Sequence, residues 1–347
     1  MDKVIERLDR GEELGEADIR EAADRLLDAS VEAQWKENFL EALARKGESA
    51  GEIAAFVGAF LERAVDPGLS SVSLPGPTLD LVGTGGDKLG MFNVSTTAIF
   101  VLAAGGVSVV KHGNRAITSR SGGADVLEAL GVAIDLPPER FAGCVQECGV
   151  GFLFAPLYHP SFKAVAPIRQ SLAKKGVRTV FNLLGPLLNP ARPDFQVIGV
   201  YDPAMLETFA VQMKRLGRKR GWAVHGGIPG ASGMDELSTL GPSAVVECRA
   251  DAEELRDWEI NPAELGLSGG KIEDLVGGDA SENAQITLGI LEGEIVDARR
   301  SMVVLNAAAG FVVAGLATDM EEGIERAGKA IDSGAARERL KALVGYR

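Results

Sequence analysis

"DLVGTGGDKLGMFNVST", residues 80–96, runs from a short apolar segment into four glycines and ends on an amide and two hydroxyls. Residues 79–82 read as a buried strand and the chain from about Ser95 as a helix. The glycines therefore fall in a strand-to-helix turn, where ligands of α/β sheets bind. Glycine accepts a positive φ and brings backbone N–H groups up to an anion with no Cβ in the way. The N-terminus of the following helix adds partial positive charge. The turn is of neither familiar type. It lacks G-x-G-x-x-G, because Lys88 stands at the third glycine, and it lacks the G-x-x-x-x-G-K-[ST] of a triphosphate loop. Asp87 inside the cradle suits a hydroxyl-bearing or metal-chelated ligand better than a bare triphosphate. Alone, such a turn is more often structural than a binding site.

A second block, "VVKHGNRAITSRSGGADVLEALG" at residues 109–131, changes that balance. A β-like run ends in Lys111-His112-Gly113-Asn114-Arg115; hydroxyls follow at Thr118, Ser119 and Ser121, and Gly122-Gly123 opens a helix. Lys111 and Arg115 can supply the charge-assisted hydrogen bonds that a pyrophosphate needs. One basic residue by itself is a solvated surface. Two donor-rich strand-to-helix turns in succession point to a phosphorylated ligand.

The surroundings of these loops set the fold class. Strand-like runs at 107–110, 197–201 and 222–225 alternate with helical stretches, which predicts an α/β fold with a mainly parallel central sheet flanked by helices. The N-terminal part is different. Ile19, Ala22, Ala23, Leu26 and Leu27 keep the helix period, as do Trp35, Phe39 and Leu43. Ser49-Ala50-Gly51-Glu52 has the form of a capping box, ahead of an apolar face of Ile53, Phe56, Val57, Phe60 and Leu61. These helices predict a small bundle with faces left for a partner. "DPGLSSVSLPGPT", residues 66–78, reads as the crossover between the bundle and the larger domain.

The chain has 347 residues, enough for two domains, and 46% hydrophobic with 24% charged residues is ordinary globular usage. A net charge of −13 argues against a nucleic-acid surface, which carries a basic stripe. Cys144, Cys148 and Cys248 have no C-x-x-C spacing and read as small buried side chains in a reduced, cytoplasmic protein. The N-terminus is charged from the start, so no secretory signal is expected. The longest apolar stretch, 97–110, is broken by Gly105 and Gly106 and is too short for a bilayer, so no membrane partner is expected.

G-T-G-G-D, N-V-S-T, K-H-G-N-R and "FNLLGPLLNPA" (residues 181–191), in this order and spacing, resemble the anthranilate phosphoribosyltransferase family over essentially the full chain. The resemblance implies a helical domain at 1–70 completed by about 160–188. It implies an α/β domain that binds phosphoribosyl pyrophosphate at 76–159 and 189–347, and a homodimer formed through the helical domain. It implies a magnesium-dependent transfer of the phosphoribosyl group to the amine of anthranilate, a step of tryptophan biosynthesis. Donor-binding residues carried over are Gly83, Gly86, Asp87, Asn93, Val94, Ser95, Thr96, Lys111, His112, Gly113, Asn114, Arg115, Ser119 and Gly123. Gly83, His112, Asn114 and Arg169 would face anthranilate, with Arg169 on its carboxylate. Ser95, Asp235 and Glu236 would hold Mg2+. His159 and His225 read as structural.

Expulsion of pyrophosphate from C1 of the ribose builds negative charge on the leaving group, which Mg2+, Lys111, Arg115 and loop amides can offset. The aromatic amine is already neutral, so positioning by Asn114 and its neighbours does much of the work. No covalent nucleophile is expected. Three departures from the family pattern stand out. Met91 replaces a hydroxyl, Gly123 replaces a small polar residue, and Ala173-Lys174-Lys175 are extra. The extra residues either lengthen a helix by most of a turn and re-aim Arg169 or form a surface loop. Other readings of the same loops are a relative using another aromatic acceptor, a pyrimidine nucleoside phosphorylase-like enzyme, and a paralogue without catalysis that binds nucleic acid.

Overall fold

The computed structural model describes residues 2–116, 120–267 and 269–347. The chain opens with α1 (Lys3–Asp9), α2 (Glu16–Leu27), α3 (Ala33–Lys46) and α4 (Ala50–Glu62). It continues through β1 (Thr78–Gly83), α5 (Val94–Ala104), β2 (Ser108–Gly113), α6 (Gly123–Ala129), α7 (Pro138–Cys148) and β3 (Val150–Phe154). Three helices follow: α8 (Ala155–Tyr158), α9 (Ala166–Lys174) and α10 (Phe181–Leu184). Next come β4 (Phe195–Gly199), α11 (Leu206–Arg215), β5 (Arg220–Gly226), β6 (Ser243–Arg249) and β7 (Arg256–Ile260). The chain closes with α12 (Ala280–Leu291), α13 (Ala298–Val313), α14 (Met320–Asp332) and α15 (Ala335–Gly345). Internal contacts divide it into two units, Met1–Asp66 with Pro156–Pro190, and Pro67–Ala155 with Ala191–Arg347.

The helical unit is built on aromatic packing. Phe60 lies 5.5 Å from Phe181 and 5.1 Å from Phe162, so the second segment completes the core of the first. The Ser49–Glu52 capping box is present, with Glu52 accepting the Ser49 N–H at 2.8 Å. Glu52 does more than cap. Fully buried, it also accepts the Leu14 N–H at 2.9 Å and Lys46 Nζ at 2.6 Å, tying the connection between α1 and α2 to the end of α3 and the start of α4. The residues expected to be extra continue α9 and do not form a loop: Ala173 and Lys174 lie in the helix, and Lys175 caps it. Lys175 Nζ reaches Glu37 at 2.8 Å and Glu41 at 3.0 Å on α3.

The second unit holds a seven-stranded sheet ordered β3-β2-β1-β4-β5-β6-β7. The five strands from β3 to β5 are parallel, and β6 and β7 are antiparallel. Helices flank the sheet, so the α/β class read from the sequence holds. From β1 the chain winds outward through β2 and β3, then returns to β4 on the other side of β1. The direction of winding thus reverses between β1 and β4, and the crevice beyond their carboxyl ends is where such sheets take ligands. α5 is buried along nearly its whole length, from Val94 and Thr96 through Ala103, as an apolar helix in the middle of a domain must be. Among the described residues, no helix is long and apolar enough to cross a membrane.

Candidate active site

β1 and β2 pair only at Thr78–Ser108 and Leu79–Val109, whereas β1 pairs with β4 through Gly83–Gly199. The sheet is therefore split beyond Leu79. Backbone groups freed in a buried split need partners, and two side chains supply them. Lys111 Nζ donates to the Leu81 carbonyl at 2.7 Å, and Asp80 Oδ1 accepts the His112 N–H at 3.4 Å. Lys111 also donates to Ser95 Oγ at 3.2 Å, at the start of α5. This buried ammonium joins both donor-rich turns. Burial lowers its pKa, and Asp80 and Glu236 oppose that shift.

Asp235 and Glu236 lie at the split end of the sheet. Asp235 Oδ2 accepts the Gly85 N–H at 2.6 Å, and Glu236 Oε1 accepts the Ser95 N–H at 3.3 Å. Two glycines make room for them. A Cβ on Gly83 would meet Asp235 Oδ2 at 2.4 Å, and one on Gly199 would meet the Asp235 carbonyl at 1.6 Å. The turn itself needs Gly85 and Gly86, whose φ values are 72° and 100°; Lys88, at the missing third glycine, also takes a left-handed φ of 57°. Burial pushes the Asp235 carboxyl up to about 7, with Asp87 adding to the shift. Burial also raises Glu236, to about 8, with Asp235 adding and Lys111 opposing. Two half-buried carboxylates beside a third acid and, among the described residues, one ammonium form an oxygen-rich site short of positive charge. That is the donor chemistry of a hard divalent cation.

The other expected residues fall as follows. Val94 belongs to the core, and Thr96 is buried beneath the start of α6, where a Cβ on Gly123 would come within 3.1 Å of Thr96 Oγ1. Asn93 bridges the two turns: its Nδ2 donates to the Ser121 carbonyl at 3.4 Å, and its Oδ1 accepts Asn283 Nδ2 at 2.9 Å. Met91 contributes a β-bridge to Val276, and Phe92 N donates to the Leu275 carbonyl at 3.1 Å, pinning the end of the glycine turn. Asn114 Oδ1 accepts the Arg115 N–H at 2.8 Å. Ser119 and Thr118 lie outside the described residues. His159 and His225 bond the Leu188 and Val200 carbonyls, each at 2.8 Å.

Arg115 was expected to supply a charge-assisted hydrogen bond to pyrophosphate. In the structure its guanidinium binds both carboxylate oxygens of Glu128 and reaches Asp125 Oδ1 at 3.4 Å. The reason is local: residues three apart on a helix share a face, and α6 presents both acids to the loop. Arg169, in the helical unit, is the reverse case. Its guanidinium is centred 5.0 Å from the Phe181 ring, burial lowers its pKa, and no carboxylate among the described residues pairs with it.

Four residues missed in the sequence shape this site from behind. Asp80 is fully buried and accepts Gln196 Nε2 at 3.4 Å, and Gln196 Oε1 in turn accepts Arg218 Nε at 3.0 Å. Burial holds Arg218 down at about 10. Asn283 was the fourth. A charge inside the apolar run around Leu79 and Leu81 was the one available signal for this group.

The family "Glycosyl transferase family, a/b domain" matches residues 75–337. An anthranilate phosphoribosyltransferase of Roseiflexus castenholzii is 42% identical over 343 residues, covering 99% of this chain and 97% of that one. One from Methylorubrum populi is 47% identical over 334 residues, covering 96% and 95%. The chain belongs to the anthranilate phosphoribosyltransferase family. It is therefore an enzyme, a phosphoribosyltransferase of the glycosyltransferase class, as its G-T-G-G-D and K-H-G-N-R turns led us to expect. The crystal structure of the Thermus thermophilus enzyme superposes with a TM-score of 0.88 at 42% identity, covering 99% of both chains. The Saccharomyces cerevisiae enzyme in complex with PRPP and Mg gives 0.84 at 27% identity, covering 98% of this chain and 95% of that one.

Proposed function

We propose that the chain transfers the phosphoribosyl group of phosphoribosyl pyrophosphate to the amine of anthranilate, with Mg2+ and with release of pyrophosphate, in tryptophan biosynthesis. The observation that carries this reading is the meeting of Lys111, Ser95, Asp235 and Glu236 where the sheet splits beside Gly83. The amine nitrogen bonds to C1 of the ribose as the C1–O bond to the diphosphate breaks, and the amine sheds one proton.

Asp235 and Glu236, with Ser95 Oγ, would hold Mg2+. No three Asp, Glu, His or Cys side chains converge as a metal group among the described residues; a cation that shares its shell with water and substrate phosphates needs few protein ligands. When bound, Mg2+ supplies Lewis-acid stabilisation of negative charge on the diphosphate oxygens. Lys111 adds a fixed positive charge that requires no reorganisation during the reaction, because Leu81 and Ser95 already hold it in place. Gly86 and the other donor residues, with Arg115 excepted, would surround the anion as the family resemblance assigns them. Asn114, His112 and Gly83 would face the acceptor.

Arg169 would bind the anthranilate carboxylate. A half-buried guanidinium on an aromatic ring, with no acidic partner among the described residues, is suited to a planar carboxylate. Homodimerisation through the helical unit and a cytoplasmic location complete the proposal. An assay following loss of anthranilate fluorescence with and without the donor tests it. Loss that depends on both donor and Mg2+, with pyrophosphate released one for one, is expected. Tight donor binding without anthranilate consumption would favour another acceptor, and turnover of a nucleoside with phosphate would overturn the reading.

A further inference from the structure

Asp125, at the third position of α6, gathers two backbone donors on one carboxylate oxygen. Its Oδ2 accepts the Gly122 N–H at 2.8 Å and the Ala116 N–H at 2.9 Å, so a single atom fastens together two points of the loop between β2 and α6. The contact is close on the backbone side as well. A Cβ on Gly122 would meet Ala116 N at 2.5 Å and the Arg115 carbonyl carbon at 2.8 Å. Ala124 N donates to the Asn114 carbonyl at 3.3 Å, so the first turn of α6 lies against residues 114–116.

The second oxygen of Asp125 reaches Arg115 Nη1, and Glu128, one turn on, takes Nη1 and, at 2.7 Å, Nη2. Two acids thus face one guanidinium. The Arg115 guanidinium is already taken up by carboxylates, whereas Lys111 Nζ is held by a carbonyl and a hydroxyl oxygen and, among the described residues, forms no ion pair. Resting on the donor assignment made above, we infer that Asp125, Glu128 and Arg115 form a brace that holds residues 114–116 of the donor loop against α6. Arg115 is a positioning residue and not a ligand of the diphosphate.

Steady-state kinetics with phosphoribosyl pyrophosphate, Mg2+ and anthranilate tests the brace, because the two roles of Arg115 give opposite signs. Arg115 and Glu128 are nearly half exposed, so their variants fold. The brace predicts that E128A raises the donor KM about three- to tenfold while kcat and the anthranilate KM stay within twofold. R115A should match it, and R115A/E128A should be no worse than either alone. D125A should raise the donor KM more than tenfold. D125N, which keeps an oxygen for both N–H groups, should recover most of that loss. A ligand role would leave the donor KM of E128A unchanged or lowered, since the guanidinium is released, and would make R115A markedly worse than E128A; either result overturns the inference. Amide exchange gives a reading independent of turnover: D125A should speed exchange at Ala116 and Gly122, and no change there also overturns it. A wild-type protein that fails to use this donor, with the exchange effect intact, refutes the reaction and not the brace.

Discussion

The Asp235 carbonyl stands 1.6 Å from the point at which a side chain on Gly199 would place its first carbon. The neighbour is backbone and cannot swing away, so the segment bearing both carboxylates must shift if Gly199 gains a methyl group. Gly199→Ala is expected to cost roughly 1–3 kcal/mol in chemical denaturation. It should also weaken Mg2+-dependent donor binding at least about tenfold, the magnitude of one displaced charge-assisted contact. Calorimetry showing wild-type binding in the variant would mean that Asp235 does not hold the cation.

Cation binding should depend on pH in a fixed direction. Asp235 and Glu236 have folded-state values raised to about 7 and about 8, so without a cation the native state keeps protons that the unfolded chain has released. Stability contributed by these groups is full below the ordinary carboxylate range and is lost as pH rises towards 8. A divalent cation reverses the effect by displacing the protons. The increase in Tm produced by donor and Mg2+ should therefore be larger at pH 8.5 than at pH 6. A pH-independent increase would rule out proton displacement at this pair.

Lys111→Met keeps the volume of the side chain but leaves the Leu81 carbonyl without its donor, at a cost of about 1–3 kcal/mol. The expected kinetic effect is larger, a fall of about 10²–10³ in kcat/KM for the donor, as when one preorganised electrostatic donor is removed. A fall no greater than the stability loss explains would make Lys111 a structural lysine.

Arg169→Ala is expected to raise the KM for anthranilate about ten- to a hundredfold, the worth of a hydrogen bond to a charged group, and to leave the donor KM unchanged. Parallel titrations of the two substrates distinguish this outcome from general damage to the helical unit. Equal changes in both constants would remove Arg169 from the acceptor.

Glu52 is the corresponding point of vulnerability in the helical unit. Burial pushes its carboxyl up, but Lys46 and the N–H groups of Ser49 and Leu14 outweigh this and hold it below its ordinary value. Its stabilisation is present above that ordinary value and is lost as pH falls through the lowered one. Glu52→Ala leaves Lys46 with no carboxylate, only the Gly47 carbonyl, and should destabilise the protein by about 3–5 kcal/mol, read by urea denaturation. A change under about 1 kcal/mol would show that Lys46 finds solvent freely.

Much of this was legible along the chain because its causes are local. The runs that became β1, β2, β4 and β5 could be read from short β-like segments alternating with helical stretches, and Ser49–Glu52 announced α4. β3 was missed: Val150–Phe154 is a short apolar run directly after α7, and periodicity cannot tell such a run from buried helix. The antiparallel turn of β6 and β7 was missed as well, since strand direction depends on the connection and not on the residues of the strand. Arg115 shows the limit most clearly. Its neighbours in sequence mark a phosphate loop, while the acids that occupy it lie ten and thirteen residues on.

By itself the amino-acid sequence determined the family, the α/β class and the two glycine-bearing turns, because strand ends, caps and left-handed turns depend on residues within a few positions of one another. Only the tertiary structure decided which charges meet: that Lys111 bridges a split in the sheet, that Asp235 fits against Gly83 and Gly199, and that Arg115 is taken up by α6. Charge pairing over long stretches of chain follows from distances in space, and those exist only once the sheet has formed and its helices have packed.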